Sequence, residues 1–531
     1  MKFFSQDPPN AFRSIVFVSS LLLLATLARL YLNSRRPRNF PPGPTPSPII
    51  GNLPELPPTK AFLKFHRWRK QYGDIIGLKF GPQNVVVLNN YQHVKELFDK
   101  RGALYSSRPE SYVGNELVCP GEVHVLLLPY SAAWRKLRKC FQQLMTVSSV
   151  ETLLPIQIAE ATKTVHDIIN DPEGFYNHLR RFPSAVMLAT AYGKRGRSFE
   201  DQVIQDLYAM LHDFTEVLAP GFMPPADEFP ILKYIPEWMA GWKRRARAVG
   251  TGQMELYRNL LEEARQRSEN GELKDCFLKT LMKEQNEGKN ELNDAQLAYV
   301  AGIFIEAGSD TTASSLLSFC LAMVTHSHVL KKCQEEVDAC CPEHSPTADE
   351  ARNLPYLKAC LTETLRWRPV APGGIPHALT EDNVYGEYVL PKGTMLLANT
   401  WGIHHDESEY VNPAEFIPER FLDNKFGTIK KEKDGENDRR RTTYAFGAGR
   451  RVCAGQRLAE NGLAIIAAKI VWAFDISPTS QIDSSIETGY TDGFVLAPKP
   501  YAAKFVPRTQ ERVSIIAKEA EEAEKFLSRF N

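Results

Sequence analysis

The segment Phe446-Gly447-Ala448-Gly449-Arg450-Arg451-Val452-Cys453-Ala454-Gly455 decides how these 531 residues are read. A cysteine sulfur that ligates haem iron must be held rigidly and have its negative charge moderated, and backbone N–H groups around the sulfur do both. Glycine permits the tight loop that aims them, and Gly449 and Gly455 suit such a loop. Arg451 is placed to pair with a haem propionate and Phe446 to shield the sulfur. A helix resumes at about residue 456, which brings its positive N-terminal end near the thiolate. The competing reading is a buried structural cysteine in a glycine-rich loop. For an isolated cysteine that reading wins; five spaced positions in ten residues, F-x-x-G-x-R-x-C-x-G, reverse it.

Outward from this loop, four further groups of residues stand in order along the chain. Trp134 and Arg138 lie one helical turn apart, so both side chains reach the same edge of a ligand. Ala307-Gly308-Ser309-Asp310-Thr311-Thr312 stands in the middle of a long helical run, Ala295 to Met323, and its glycine and consecutive threonines each lower helix stability by a fraction of a kcal/mol up to ~1 kcal/mol. Glu363 and Arg366, at i and i+3, share a helix face as a buried salt bridge requires. Pro418-Glu419-Arg420-Phe421 adds a third charged group, Arg420. E-x-x-R alone is nearly worthless, because charged helix faces produce it constantly; the order and spacing of all the elements carry the weight.

On these motifs the chain resembles the cytochrome P450 family, over roughly residues 40 to 508. The resemblance implies a fold that is mainly α with a smaller β region, preceded here by an N-terminal transmembrane helix. It implies haem b with the Cys453 thiolate as axial iron ligand. Trp134, Arg138, Arg451 and His377 (in Ile-Pro-His) would face the propionates, and Glu363, Arg366 and Arg420 would form a structural triad. Gly308 would let the central helix run close over the haem and leave room for dioxygen. Thr311 would divert its hydroxyl from the backbone, opening a bulge that holds water, and Asp310 with Thr311 would deliver protons. The implied reaction is monooxygenation of a hydrophobic small molecule. Electrons would come from a membrane-bound NADPH-cytochrome P450 reductase, with cytochrome b5 as a further donor, since the chain shows no flavin- or nicotinamide-binding fingerprint. Arg135, Lys136, Lys139, Arg450 and Arg457 offer docking charges for an acidic partner, or are simply solvated. Residues 368–377 and 399–406 are similar to fungal members that oxidise secondary metabolites, and Val370, Ile375 and Phe494 are expected to border a greasy substrate pocket. Two rivals are a haem-thiolate isomerase or dehydratase that needs no external electrons and a non-catalytic membrane carrier of haem or lipid. The Asp310-Thr311 pair argues against the first. Glu306 has no role that the pattern defines.

Composition agrees with this frame. The chain is 43% hydrophobic, enough for a sizeable core, and its net charge of +1 excludes the basic excess that nucleic-acid binding needs. Nine cysteines without a C-x-x-C pair exclude a disulfide framework and fit a reducing compartment; adjacent Cys340 and Cys341 read as helix-end residues. Ser14 to Leu32 is a 19-residue apolar run whose one charge is Arg29. As a helix it spans about 28 Å, close to a bilayer's hydrocarbon thickness. Arg35, Arg36 and Arg38 follow the run, which favours a retained anchor over a cleaved signal and places the body on the cytosolic side of the endoplasmic reticulum membrane, after a single pass.

The expected organisation is an anchor with basic flank (1–40), a haem domain (41–508) and an amphipathic helical tail (509–531). Residues 41–58, rich in proline, are read as a stiff extended connector. Short strands are expected at 85–89, at Val384 to Leu390 and, after a turn at Pro391-Lys392-Gly393, at Thr394 to Ala398. Helix dominates from about 130 to 370, and residues 424–441 read as a charged surface insert. In the tail, Val513, Ile516, Ala520, Ala523, Leu527 and Phe530 form one helical stripe suited to packing on the body, on another protein, or in a short coiled coil.

Overall fold

The computed structural model describes residues 10–219, 221–430 and 440–531; residues 431–439, within the expected charged insert, lie outside them. Twelve helices build most of the body: α1 (Asn10–Ser34), α2 (Ala61–Tyr72), α3 (Ala132–Leu144), α4 (Leu154–Asn170), α5 (Phe175–Tyr192) and α6 (Gln202–Leu218). They continue with α7 (Gly241–Glu269), α8 (Asp294–Thr325), α9 (Ser327–Cys340), α10 (Pro355–Trp367), α11 (Gln456–Ala473) and α12 (Gln510–Leu527). The long apolar run forms α8, 32 residues and about 48 Å at 1.5 Å each. It is buried on nearly every side, as a helix without a polar face must be, and forms the axis of the body. A reciprocal cap starts it: the Asn293 side chain accepts from Gln296 N–H while the Gln296 side chain accepts from Asn293 N–H. It ends at His326, where α9 departs at 106°.

The β region is small. β1 (Ile75–Phe80) and β2 (Gln83–Leu88) form a hairpin, β6 (Met395–Ala398) runs parallel to β2, and β3 (His377–Ala378) closes the order β1-β2-β6-β3. The stretch expected as one strand at Val384 to Leu390 is two strands, β4 (Asn383–Tyr385) and β5 (Tyr388–Leu390). Gly386 turns the chain between them at φ 59°, a conformation glycine adopts freely and other residues rarely do. β7 (Phe474–Pro478) pairs with β8 (Ala503–Pro507).

Residues Ser14–Ser34 of α1 form the helix, among the described residues, that is long and apolar enough to cross a membrane; its apolar stretch buries nothing against the body, while Ser34 at its end is buried and accepts from Ile49 N–H at 2.9 Å. The proline-rich connector does not stand free. Gly77 N–H donates to Pro42 O and Asn52 N–H to Lys79 O, at 2.7 and 2.6 Å, so it lies along β1. A side chain at Gly43 would sit 2.1 Å from Gly77 O, and this close approach explains the glycine among the prolines. The C-terminal stripe packs on the body: Ile516, Leu527 and Phe530 are buried, and α12 lies along α4. Arg195 grips Glu524 through two hydrogen bonds of 2.6 and 2.5 Å, and Arg508 and Arg512 both pair with Asp338.

Candidate functional site

The Cys453 loop is tight because two glycines take positive φ, Gly447 at 73° and Gly449 at 64°. A side chain at Gly449 would lie 2.2 Å from Phe98 O, so this position is closed to other residues. Gly455, by contrast, has φ −84° as the residue capping α11, and a side chain there would stand 4.0 Å from the sulfur, an ordinary contact. Cys453 N–H donates to Phe446 O at 2.9 Å and pins the loop's ends together. Burial pushes the thiol pKa up, while the backbone N–H groups of Gly455 and Gln456 and the Arg138 guanidinium pull it back. The sulfur is thus addressed by two amides and a cation. Cys453 is nonetheless exposed, as a residue facing an open space is. In mid-α8 Ala307 is exposed too, and Gly308, Asp310 and Thr311 are half-buried where the helix on either side is buried.

Three guanidiniums gather around this loop. Arg451 donates to the carbonyls of Ser106, Val125 and Leu128, with Trp134 beneath it at 4.2 Å. Arg138, one turn after Trp134 on α3, donates to Val452 O, and its Nε is buried without a partner. Arg108 donates to the carbonyls of Leu126, Ile375 and Pro376. Burial lowers the pKa of all three; repulsion from a neighbouring guanidinium adds to it for Arg451, pushed down to about 9, and for Arg108, well below its ordinary value, whereas Cys453 opposes the shift at Arg138. No carboxylate among the described residues pairs with any of them. Arg108 is buried and Arg138 and Arg451 are half-buried; cations gathered in this way without counter-charge are costly to hold, and two propionates beside a thiolate are the anions they fit.

Arg108 was not visible in the sequence, because its partners lie 18, 267 and 268 positions away. It stands where His377 was expected to supply positive charge. His377 is buried and stacked on Phe98 at 4.0 Å, and its Nδ1 lies 2.7 Å from Tyr105 O. A carbonyl only accepts, so Nδ1 carries the hydrogen. Burial together with Arg108 and Arg451 drives the pKa of His377 well below the ordinary value. The imidazole is neutral, and the charge at this place belongs to Arg108.

The α8 motif also differs from expectation in detail. The helix is unbroken from Asp294 to Thr325, with no bulge at Thr311. The Thr311 hydroxyl donates to Ala307 O at 2.6 Å, a bond that a regular helix accommodates. Gly308 does not face the open side: a side chain there would lie 2.4 Å from Met187 Sδ on α5. Its smallness serves the α5–α8 packing, and Ala307 is the residue with open surface. Asp310 is deeply placed, and burial raises its carboxyl pKa while Arg180 of α5 opposes the shift. Tyr176 and Tyr208 feel the Asp310 charge, so the acid points toward α5 and α6.

Glu363 and Arg366 form a fully buried bidentate pair at 2.6 and 2.8 Å, and Arg420 Nε reaches Glu363 Oε1 at 3.2 Å. Arg366 also binds the carbonyls of His404, Pro413 and Glu415, fixing the chain that leads to the Cys453 loop. Removing one partner of such a pair costs about 3–5 kcal/mol. The two stretches expected at the substrate side meet: Leu496 N–H donates to Val370 O at 2.9 Å. Val370, Ile375 and Phe494 are all half-buried.

Residues 41–505 match the family model described as Cytochrome P450. The chain is 36% identical to a cytochrome P450 monooxygenase of Arthrobotrys oligospora over 530 residues, 97% of this chain and 98% of the relative. It is 36% identical to the cytochrome P450 monooxygenase yanC of Aspergillus niger, covering 96% and 97% of the two chains. With patI of Aspergillus clavatus, also a cytochrome P450 monooxygenase, identity is 35% over 99% and 100%.

Proposed function

The chain belongs to the cytochrome P450 family, and from that premise we propose which residues hold the haem, move protons and admit the substrate. It is a haem-thiolate monooxygenase. Cys453 is the axial ligand, and the amides of Gly455 and Gln456 moderate its charge. Arg108, Arg138 and Arg451 receive the propionates, with Trp134 as the platform under Arg451. When bound, haem supplies the oxygen chemistry, in which one atom of O2 enters the substrate and the other leaves as water, using two electrons and two protons. Asp310, whose carboxyl pKa is raised by burial, stands one residue from the Thr311 hydroxyl and relays protons toward it. Arg180, Tyr176 and Tyr208 form the polar side from which Asp310 is recharged. Val370, Ile375 and Phe494 bound an apolar pocket.

The exposed Arg135, Lys139, Arg450 and Arg457 present charge to an NADPH-dependent reductase, with cytochrome b5 as a second donor, whereas Lys136 is engaged with Glu291 O. The Ser14–Ser34 helix anchors the enzyme in the endoplasmic reticulum membrane with the body in the cytosol. The fungal relatives and the 368–377 and 399–406 stretches support a secondary-metabolite substrate.

The observation that carries this assignment is the set of three guanidiniums, Arg108 buried and Arg138 and Arg451 half-buried, without carboxylates around a cysteine that two amides address. The test is the ferrous carbon-monoxide complex of the full chain. It should show the long-wavelength Soret band of trans thiolate, and Cys453→His should lose that band while retaining haem. Persistence of the band in the variant places the ligand on another cysteine. NADPH consumption that requires added reductase separates a monooxygenase from an isomerase or a carrier.

A further inference from the structure

Glu306 is the residue immediately before Ala307, and the mechanism above does not use it. It is 6% exposed, and every group that meets its carboxylate is named here. Oε2 accepts from Tyr257 OH at 2.5 Å and from Gln253 Nε2 at 2.9 Å, both on α7. Oε1 lies 3.3 Å from His124 Nε2, in the chain between α3 and the 112–118 turn. Gln253 in turn accepts from Tyr299 OH at 3.1 Å and Cys119 Sγ at 3.3 Å. No lysine or arginine pairs with this carboxylate among the described residues. The shape of the backbone accommodates the cluster: a side chain at Gly302 would fall 2.3 Å from the Tyr257 ring, and one at Gly250 would fall 2.1 Å from Val118 O. Both glycines let α7 close on α8 and on the 112–118 turn.

His124 is the pivot. Its ring is 1% exposed and stacks on Phe214 of α6 at 5.2 Å. Nε2 faces a carboxylate oxygen and Nδ1 is buried without a partner, so the Nε2–H tautomer fits the site. The next residues run straight to the haem-edge arginines. Arg451 takes the carbonyls of Val125 and Leu128, and Arg108 takes that of Leu126. The five residues His124-Val125-Leu126-Leu127-Leu128 are therefore a strap with two fastenings. Its first residue, His124, is tied to α8 by Glu306, and the rest is tied to the arginines beside Cys453 by the carbonyls of Val125, Leu126 and Leu128. Val125, Leu126 and Leu127 are half-buried between these points.

We propose that Glu306 is a positioning residue for substrate selection: by holding His124 it fixes the strap 124–128, and with it the shape of the apolar space between α8 and the Cys453 loop. The strap has no helix or strand of its own; Leu127 and Leu128 N–H close a turn on His124 O, the next carbonyls go to the arginines, and His124 is the residue that joins it to α8, through the Glu306 bond and an edge contact with Tyr299 at 6.0 Å. Glu306 acts through the strap and not on the reacting atoms. The inference rests on the assignment of Cys453 as iron ligand, which the carbon-monoxide band checks separately.

The test uses the full-length, haem-loaded enzyme and two iron-binding probes, imidazole and 4-phenylimidazole, whose dissociation constants are read from the Soret shift. Imidazole reports the iron alone; the phenyl group must also fit the space the strap bounds. In Glu306→Leu, which removes the acceptor that His124 Nε2–H uses, and in His124→Phe, which keeps the stack on Phe214, imidazole affinity should stay within about twofold of wild type, while 4-phenylimidazole affinity changes by about tenfold. The double variant should match Glu306→Leu, because both changes break one bond. An unchanged affinity ratio in a variant with an intact thiolate band overturns the proposal. So do additive effects, or equal shifts for both probes, which would place Glu306 in service of the iron. If Glu306→Leu fails to take up haem, His124→Phe decides on the same ratio.

Discussion

Gly308→Ala separates two roles for this glycine, and the structure sets the size of the effect. The added methyl carbon would lie 2.4 Å from Met187 Sδ and 2.8 Å from Met187 Cγ, so the methionine must move. Met187 is buried in the α5–α8 seam, and overpacking such a site costs about 1–3 kcal/mol, less where a flexible methionine yields. Alanine returns up to ~1 kcal/mol over glycine within a helix. Gly308→Ala alone should therefore be between neutral and about 2 kcal/mol destabilising by these terms. In a Met187→Ala background the obstruction is gone, and the same change should stabilise by about 0.5–1 kcal/mol. The assay is thermal unfolding of the four haem-loaded proteins at one scan rate. For 531 residues at about 2.1 cal/mol/K each, 1 kcal/mol corresponds to roughly 1 °C. The reversal of sign between backgrounds is the readout, and imidazole affinity should not change. Equal damage in both backgrounds, or weakened imidazole binding, would refute the reasoning and return Gly308 to the haem side of α8.

Two other outcomes follow from the site and the anchor. Thr311→Ala should keep haem, substrate binding and NADPH consumption but divert much of the flux to hydrogen peroxide. Asp310→Asn should instead slow turnover; because its carboxyl pKa is raised and the protonated form donates, wild-type product per NADPH should fall as pH rises through that raised pKa, a limb absent in Asp310→Asn. Product formed per NADPH, with one reductase across a pH series, checks both, and an unchanged ratio in Thr311→Ala would assign proton delivery to another group. Removal of residues 1–34 should release most of the protein from membranes with its thiolate band intact; a truncated protein that sediments fully with membranes would mean that the body itself is embedded.

Sequence pattern revealed the parts of this site whose determinants are neighbours along the chain. The Cys453 loop is closed by a bond between residues 446 and 453, Glu363 and Arg366 meet across one helical turn, and Trp134 and Arg138 do the same. α8 was legible because 32 residues of almost unrelieved apolar character have few alternatives to a buried helix. What escaped were roles set by partners from distant segments. Arg108 is held by carbonyls around residues 126 and 375, the purpose of Gly308 lies in Met187, and the connector's glycine answers to Gly77 on β1. Val384 to Leu390 alternates well enough for a single strand, and only the positive φ at Gly386 folds it back on itself.

Buried charge explains why the two least legible features belong to one device. The arginines near Cys453 carry positive charge that no side-chain carboxylate answers, and Glu306 carries negative charge that no lysine or arginine pairs with. Neither group is neutralised by its near neighbours, and each is solvated by fixed dipoles instead: carbonyls for the arginines, hydroxyl, amide and imidazole donors for Glu306. The strap 124–128 contributes to both sets, its carbonyls to the cations and its histidine to the anion. A chain segment that solvates opposite charges at its two ends is held in place by electrostatics even though it has no regular structure. Replacing His124, or Arg108 whose guanidinium holds the Leu126 carbonyl, should therefore loosen the strap, whereas an apolar exchange at Val125 or Leu127 should alter the local shape of the space without releasing either fastening.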